Sequence, residues 1–410
     1  MADRNPIVKA LAVAASIALV SAPAAAQKKY DPGASDTEIK IGNIMPYSGP
    51  ASAYGVIGKG SEAYFRMIND EGGINGRKIT FITYDDAYSP PKTVEQARKL
   101  VESDEVLLIF QPLGTAGNTA IHKYLNAKKV PQLFVASGAT KWGDPKNFPW
   151  TMGFQPNYQS EGRIFAKYIL EHKPNARIGV LYQNDDFGKD VLKGLKDGLG
   201  AKTSLIVAEE NYEVSSATAD SQIVKLKTAN TDVFIDLTSP RFAAQAIKKA
   251  AELGWKPLHF LSSVSSSIGS VLQPAGLENA VGILSTAYTK DPSDPMWKDD
   301  PKMKKWNAFM DKYLPGANKA DTGYISSYMA TQTLVEVLKR CGDDLSRANI
   351  MRQAANLRDF EVDVLLPGIK VNTSATDFYP VEQMQMRRFD GHVWELFGPI
   401  INGEVGSPKS

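Results

Sequence analysis

Short apolar runs that end in turn residues alternate along this chain with segments whose apolar residues recur at helical spacing. Residues 38–44 form the first such run, and Ile57, Tyr64 and Ile68 then fall on one face of a 3.6-residue period. Gly72 ends this helix, because glycine readily adopts the positive φ that other residues resist. A strand followed by a helix is the unit that builds parallel sheets, so the repetition predicts an α/β fold.

Two series of these units follow one another. In the first series, strands are predicted at 38–44, 78–84, 106–110 and 132–135, with helices from Pro90 and at 115–127. In the second, strands are predicted at 177–182, 204–208, 232–236 and 259–261, with helices at about 160–172, 187–199, 218–229 and 240–253. Residues 151–158 contain Gly153 and Pro156 and are predicted to connect the two series.

The C-terminal segments complete the pattern. Residues 281–288 are interpreted as a strand that returns to the first lobe, and 324–339 as a long helix whose apolar positions belong in a core. Alternating residues in 382–397, with Asp390-Gly391 between them, predict a β-hairpin. No low-complexity linker separates the two series, so we expect two lobes that are joined by several crossings of the chain.

Composition excludes several functions. Lys and Arg total 47 against 45 Asp and Glu, and this balance argues against nucleic acid as a partner. Cys341 is the only cysteine, and the four histidines lie far apart in sequence. The sequence therefore has neither the cysteines for a disulfide framework nor a spacing typical of metal ligands. We expect no metal and no cofactor.

The N-terminus has the pattern of a secretory signal peptide over residues 1–26. Arg4 and Lys9 are basic, residues 10–20 are almost entirely apolar, and Ala24-Ala25-Ala26 provides a cleavage context. The apolar stretch of about 11 residues is too short to cross roughly 30 Å of hydrocarbon. We therefore expect cleavage after Ala26 and, since no cysteine follows for a lipid anchor, a protein of the bacterial periplasm.

Three motifs that could carry chemistry have simpler interpretations. The GxGxxA pattern at 58–63 begins more than ten residues after its strand, so it indicates close helix packing instead of dinucleotide binding. Asp85-Asp86 and Asp185-Asp186 are interpreted as turn and capping residues, because neighbouring side chains on a strand point to opposite faces. Hydrolase, P-loop and zinc-protease motifs do not occur in the sequence.

Small and hydroxylated residues cluster after four predicted strands. They are Ser48-Gly49-Pro50, Gly114-Thr115, Ser137-Gly138-Ala139-Thr140 and Thr238-Ser239. Any one of these groups could simply cap a helix. Ligands of open α/β sheets bind at the carboxyl ends of the strands, where helix N-termini offer free N–H groups to anions. Four such groups, from both series, therefore favour a polar crevice that binds a small acid.

Several segments of the first series resemble one protein family. They are Ile41-Gly42 through Ser48-Gly49-Pro50, Tyr54-Gly55, Ile68-Asn69, Gly72-Gly73-Ile74-Asn75-Gly76 and Tyr84-Asp85-Asp86. The sequence resembles the leucine/isoleucine/valine-binding type of periplasmic solute receptor for ABC importers, over about residues 36–400. The resemblance implies two doubly wound parallel-sheet lobes, joined by three crossings, that close on a ligand as a hinge. We place lobe 1 at 36–153 plus 284–365 and lobe 2 at 154–283 plus 366–405.

The same resemblance implies a set of ligand-binding residues. Gly114 and Thr115 match the residues that hold the ligand carboxylate, and Tyr54 and Phe187 match aromatic residues of the two lobes. The complete predicted set is Tyr54, Gly114, Thr115, Ser137, Gly138, Ala139, Tyr158, Phe187, Thr238, Ser239 and Ser263.

One departure from the family bears on the ligand. Members that bind α-amino acids place a carboxylate after the strand at 259–261, where this chain has Ser262-Ser263-Val264-Ser265. An ammonium without a charged partner is costly in a closed cleft, so acids without an α-amino group are predicted to bind at least as well as leucine or valine. An aromatic acid between Tyr54 and Phe187 is one candidate and a branched-chain or other amino acid is the alternative, because Asp236 or Glu210 could reach the crevice from another loop.

These expectations describe a receptor without catalytic activity. It would capture a small carboxylate or an amino acid and deliver it to an ABC permease in the inner membrane, and we expect a monomer. A sensor subunit for a membrane receptor would share the fold and the cleft. A secreted enzyme is less favoured, because the strand ends do not provide a nucleophile, a base and an orienting group together.

Overall fold

The computed structural model describes residues 28–403, which fold as alternating strands and helices around two large sheets. The strands are β1 (Lys29–Tyr30), β2 (Glu38–Met45), β3 (Lys78–Asp85), β4 (Leu108–Phe110), β5 (Gln132–Val135), β6 (Thr151–Gly153), β7 (Ile178–Gln183), β8 (Ile206–Tyr212), β9 (Val233–Leu237), β10 (Leu258–Leu261), β11 (Leu284–Ala287), β12 (Asp344–Leu345), β13 (Gln383–Phe389) and β14 (Trp394–Asn402). The predicted signal peptide lies outside the described residues.

The α-helices pack on the faces of these sheets. They are α1 (Val56–Asp70), α2 (Pro90–Arg98), α3 (Thr115–Lys128), α4 (Tyr158–His172), α5 (Asp186–Leu199), α6 (Asp220–Thr228), α7 (Pro240–Glu252), α8 (Gln273–Ala275), α9 (Pro301–Tyr313), α10 (Gly323–Cys341) and α11 (Arg347–Ala354). The predicted α/β fold class is confirmed. No helix within residues 28–403 is long and apolar enough to cross a membrane.

The first sheet has five parallel strands in the order β3-β2-β4-β5-β6. Strands β2, β3 and β5 match their predicted ranges to within one residue, while β4 covers only the last three residues of 106–110. The sequence analysis missed β6, because Thr151–Gly153 is short and lies in a segment expected to be a simple connection.

The second sheet has seven strands in the order β14-β13-β11-β10-β9-β7-β8. The interpretation of 281–288 as a strand of the first lobe is wrong, since β11 pairs with β10 and β13 in this sheet. Leu284 is buried in the core of the second sheet, and a local pattern cannot show which sheet an apolar strand joins. The predicted strand at 204–208 is displaced to Ile206–Tyr212, because an edge strand tolerates outward charges such as Glu209.

Each sheet has its own hydrophobic core, and the chain passes between the two lobes three times. The passages follow Gly153, Ala287 and Val381. Val371 and Val381 pack in the first core, so the third passage lies later than the predicted division at 365/366. The second passage likewise lies later than the predicted division at 283/284, because β11 belongs to the second sheet. The remaining boundaries of the predicted lobe ranges stay predictions.

The C-terminal predictions for a long helix and a hairpin are confirmed by α10 and by the antiparallel pair β13–β14. The helices α8, α9 and α11 were missed, although α9 carries a clear start signal: Pro301 at its first position after Asp300, which accepts a hydrogen bond from the Met303 N–H at 2.9 Å. The GxGxxA pattern is helix packing as predicted. A Cβ at Gly58 or Gly60 would lie 2.1 Å from Tyr47 Oη or 2.0 Å from Ser327 Oγ.

Candidate ligand site between the lobes

A cavity of about 110 Å³ lies between the lobes and is lined by residues of both. The first lobe contributes the loop after β2 and the start of α3, and the second contributes the loops after β7, β9 and β10. Seven of the predicted residues line it: Tyr54, Gly114, Thr115, Tyr158, Phe187, Ser239 and Ser263. Whether these residues bind a ligand stays a prediction, but the fold brings them together.

The other four predicted residues lie behind the cavity wall. Ser137 forms a hydrogen bond with Thr115, with 2.7 Å between the two hydroxyl oxygens, and its Oγ also accepts from the Ala139 N–H at 3.3 Å. The Gly138 carbonyl accepts from the Tyr158 N–H at 2.8 Å. Thr238 turns inward, where its hydroxyl donates to Asp236 at 2.6 Å. Ser137 and Gly138 therefore bond to residues that line the cavity, and none of these four residues is itself part of the lining.

The N-terminus of α3 offers backbone donors to the cavity. Gly114 precedes the helix with φ 98°, a conformation that favours glycine, and a Cβ there would lie 2.6 Å from the Tyr88 ring. Within the described chain, no side chain caps this helix. The first N–H groups of an α-helix have no partner inside the helix and attract anions, so the groups beside Thr115 suit a carboxylate.

Aromatic rings form the apolar walls of the cavity. The rings of Tyr158 and Phe187 are 5.0 Å apart and inclined at 60°. Tyr54 donates its hydroxyl hydrogen to the Val264 carbonyl at 3.2 Å, and Gln183 Nε2 donates to Tyr88 Oη at 3.3 Å. Both hydrogen bonds join the first lobe to the second. Burial raises the pKa of Tyr54, Tyr88 and Tyr158, so their phenols stay protonated.

Further contacts join the two lobes beside the cavity. Lys141, after β5, forms an ion pair with Asp186 of α5 at 2.6 Å, and Thr140 donates to Asp190 through its N–H at 2.7 Å and its hydroxyl at 2.9 Å. Asp186 therefore pairs across the cleft, while Asp185 caps α5 as predicted by accepting from the Phe187 N–H at 3.0 Å.

Three charged residues line the cavity that the sequence analysis did not select: Asp291, Asp321 and Arg387. Asp321 accepts from the Gly323 N–H at 3.0 Å and the Ser267 hydroxyl at 3.3 Å. Burial raises the pKa of both aspartates and lowers the pKa of Arg387 to about 10. The sequence does not mark them as site residues, because they lie at and beyond the later crossings, far from the strand ends with small and hydroxylated residues.

A buried carboxylate supports the loop that carries Ser263. Glu161, in the first turn of α4, accepts from the Ser262 hydroxyl at 2.8 Å, the Ser263 N–H at 2.8 Å and the Thr286 hydroxyl at 2.7 Å. It therefore connects the helix after the first crossing, the loop after β10 and the strand before the second crossing. No sequence motif marks this residue.

The two acids considered as possible ammonium partners lie elsewhere. Asp236 is buried beneath the loop after β9, where it accepts from Thr238 and lies 3.3 Å from His259 Nε2. Glu210 is on the edge strand β8 and pairs with Lys225 at 3.1 Å. Residues 28–403 contain no group of three or more His, Cys, Asp and Glu that could hold a metal ion. Cys341 is buried, which raises the pKa of its thiol to about 12.

Comparison with known proteins agrees with this architecture. A sequence model of the periplasmic binding protein family matches residues 38–392. Leu/Ile/Val-binding protein homolog 1 of Brucella abortus (strain 2308) is 26% identical over 320 residues, covering 76% of this chain and 81% of that protein. A branched-chain amino acid ABC transporter protein from Thermus thermophilus, solved with bound valine, has a TM-score of 0.81 at 16% identity and covers 89% of this chain and 97% of its own.

A fatty acid ABC transporter substrate-binding protein from Thermomonospora curvata has a TM-score of 0.76 at 20% identity, covering 92% of this chain and 96% of its own. At such identities the solved structures establish the fold alone. Two sheets with three crossings and a cavity between them define a two-lobed solute-binding protein. Because the family match spans most of the chain, this protein belongs to the periplasmic binding protein family, in its leucine/isoleucine/valine-binding type. The predicted resemblance is confirmed.

Proposed function

We propose that this protein captures a small carboxylic acid in the cavity between its lobes and delivers it to an ABC permease. The observation that carries this proposal is the position of the α3 N-terminus and Thr115 on one wall of a closed cavity with aromatic walls. Backbone N–H groups and a hydroxyl would bind the carboxylate, while the rings of Tyr158 and Phe187 would cover an apolar body.

An amino acid is the second candidate ligand, and one observation favours it. The preference for acids without an amino group rested on the lack of an acidic residue in 261–267. Asp291 and Asp321 line the cavity from other segments, so a carboxylate is available to an ammonium after all. The named ligand of the Thermus thermophilus structure, valine, belongs to this class. Affinity measurements decide between the two candidates.

Family membership implies an extracytoplasmic location, and the proposed signal peptide at 1–26 would direct the chain to the periplasm. We propose that the protein acts there as a monomer without catalytic activity. The contacts between Lys141 and Asp186 and between Thr140 and Asp190 are of the kind that form when a hinge closes, and closure would present both lobes to a permease. A sensor subunit would use the same closure to signal.

Calorimetry with leucine, valine, benzoate and 4-hydroxybenzoate tests the proposal, with benzamide and leucinamide as matched ligands that lack the carboxylate. We expect at least one acid to bind, its amide to bind more weakly by about tenfold or more, and no ligand to be chemically altered. An acid at 100 times its Kd should raise the stability by about 2.7 kcal/mol. Equal binding of acids and amides would refute the carboxylate site, and turnover would establish an enzyme instead.

A further inference from the structure

Arg387 of β13 and Asp291, just after the second crossing, are a buried charged pair whose hydrogen bonds are incomplete. Both residues line the cavity and both are 6% exposed. Arg387 Nη1 lies 3.8 Å from Asp291 Oδ2, too far for a hydrogen bond. Within residues 28–403, Arg387 Nε has no acceptor and Asp291 Oδ2 has no donor.

The other contacts of the pair hold the two side chains in place. Arg387 Nη2 donates to the Ser266 hydroxyl, and the guanidinium lies 4.5 Å from the centre of the Trp394 ring. Asp291 Oδ1 accepts from the Ser293 N–H at 2.8 Å. A buried charge with an unmade hydrogen bond is costly, and both side chains contribute to the lining of the cavity, so a polar group of a bound molecule could give the guanidinium and the carboxylate additional partners.

The electrostatics restrict which ligand group fits. Asp291 lies 3.8 Å from Arg387, Glu161 also acts on the guanidinium, and Asp321 is a further carboxylate that lines the cavity. A second anionic group on the ligand would satisfy Arg387 but would be repelled by these carboxylates. An apolar ligand group would give neither Arg387 nor Asp291 a hydrogen-bond partner. A neutral group that accepts one hydrogen bond and donates another satisfies both partners.

We infer that Arg387 and Asp291 form a second polar subsite, which selects carboxylic acids that carry a hydroxyl group. This inference rests on the proposed function, in which the carboxylate itself binds at Thr115. The hydroxyl oxygen accepts from Arg387 and the hydroxyl hydrogen is donated to Asp291. The two groups belong to different parts of the fold: Thr115 begins α3 and pairs with Ser137, whereas Arg387 of β13 pairs with Ser266 and Asp291 with Ser293.

The test compares benzoate with its 2-, 3- and 4-hydroxy derivatives by calorimetry on the intact protein. We expect one hydroxybenzoate to bind about tenfold to a hundredfold more tightly than benzoate, since a hydrogen bond to a charged group is involved. Equal affinity of benzoate and all three derivatives would overturn this inference and leave the carboxylate site standing. A failure of every acid to bind would overturn the proposed function together with it.

Variants assign the effect to the pair. Arg387→Lys keeps the charge but changes the donor geometry, and Asp291→Asn keeps the shape but removes the charge, so each should reduce the ratio of the affinity for the hydroxylated acid to that for benzoate about tenfold. Arg388→Lys is the matched control, because this neighbouring side chain is exposed and pairs with Glu395 at 3.4 Å. A hydroxyl preference that survives in both variants would refute the assignment. Thermal unfolding of each variant first establishes that it is folded.

Discussion

The two polar ends of the cavity are built in different ways. At the start of α3, the proposed carboxylate site consists of backbone N–H groups and the Thr115 hydroxyl, all supplied by consecutive residues that follow one strand. At β13, the proposed hydroxyl subsite consists of Arg387 and Asp291, which lie near different crossings and meet only in the folded protein. The first end is formed by one lobe alone. The second end forms only after the second and third passages of the chain between the lobes have brought Asp291 and Arg387 together.

This difference predicts which substitutions should affect each end of the cavity. A helix N-terminus attracts an anion without burying a charged side chain, so its function depends on backbone conformation. A buried charged pair depends on complete hydrogen bonding and on the segments that hold it. Backbone changes should therefore damage the α3 end most, and changes to supporting side chains should damage the side of the cavity nearest the crossings.

The largest effect is expected from Gly114→Ala. Alanine resists φ 98°, and its Cβ would overlap the Tyr88 ring, so stability should fall by about 2–4 kcal/mol and acid binding should be lost. Denaturant unfolding and calorimetry measure the two effects. Gly254→Ala is the control, because φ is 63° there but no heavy atom of the described chain lies within 4 Å of the added Cβ. It should cost about 1 kcal/mol and leave binding intact.

Glu161→Ala should act on the other side of the cavity. Removal of this carboxylate leaves the Ser263 N–H and two hydroxyls without their acceptor, and we expect a loss of about 2–4 kcal/mol in the free energy of unfolding. Glu161→Gln, which keeps an acceptor oxygen, should lose less. The control is Glu171→Ala on the exposed face of the same helix, with an expected change within about 0.5 kcal/mol. Equal stability of both alanine variants would contradict the supporting role.

The smallest effects are expected from Thr115→Ala and Ser137→Ala, which compare a residue that lines the cavity with one behind it. Thr115 lines the cavity, so its loss should weaken binding of an acid by about 1–3 kcal/mol with little change in stability. Ser137 does not itself line the cavity and contacts it through neighbours such as Thr115, so its loss should weaken binding by less than about 1 kcal/mol. Calorimetry on both variants measures the difference. Unchanged affinity in Thr115→Ala would mean that this hydroxyl is an ordinary part of the helix start.

The strands of the first sheet and the helix faces could be predicted because their signals are local. Ile57, Tyr64 and Ile68 lie buried on one side of α1 as their spacing indicated. The placement of β11 could not be predicted, because an apolar residue such as Leu284 can be buried against either sheet. Its pairing with Phe260 is decided only when distant segments pack together. The strand β6 and the helix α11 were missed because both are short.

The candidate site also has residues that local sequence signals predict and residues that only the fold brings to the cavity. Thr115 and Ser239 line the cavity because each follows a strand end, and parallel strands end at one edge of a sheet. Thr238, adjacent to Ser239, points into the protein, and a one-residue difference in direction is not visible in a run of hydroxylated residues. Arg387 carried no signal beyond its place in an alternating strand.

The sequence by itself determined the repeated strand and helix units, the family and the polar strand ends of the first lobe, because each depends on residues within a few positions of one another. Only the tertiary structure decided which sheet takes β11, which hydroxyls face the cavity, and that Asp291 and Arg387 meet there. These outcomes depend on how three distant crossings pack together. The energies involved belong to burial and to hydrogen bonds between remote segments, which a local pattern does not contain.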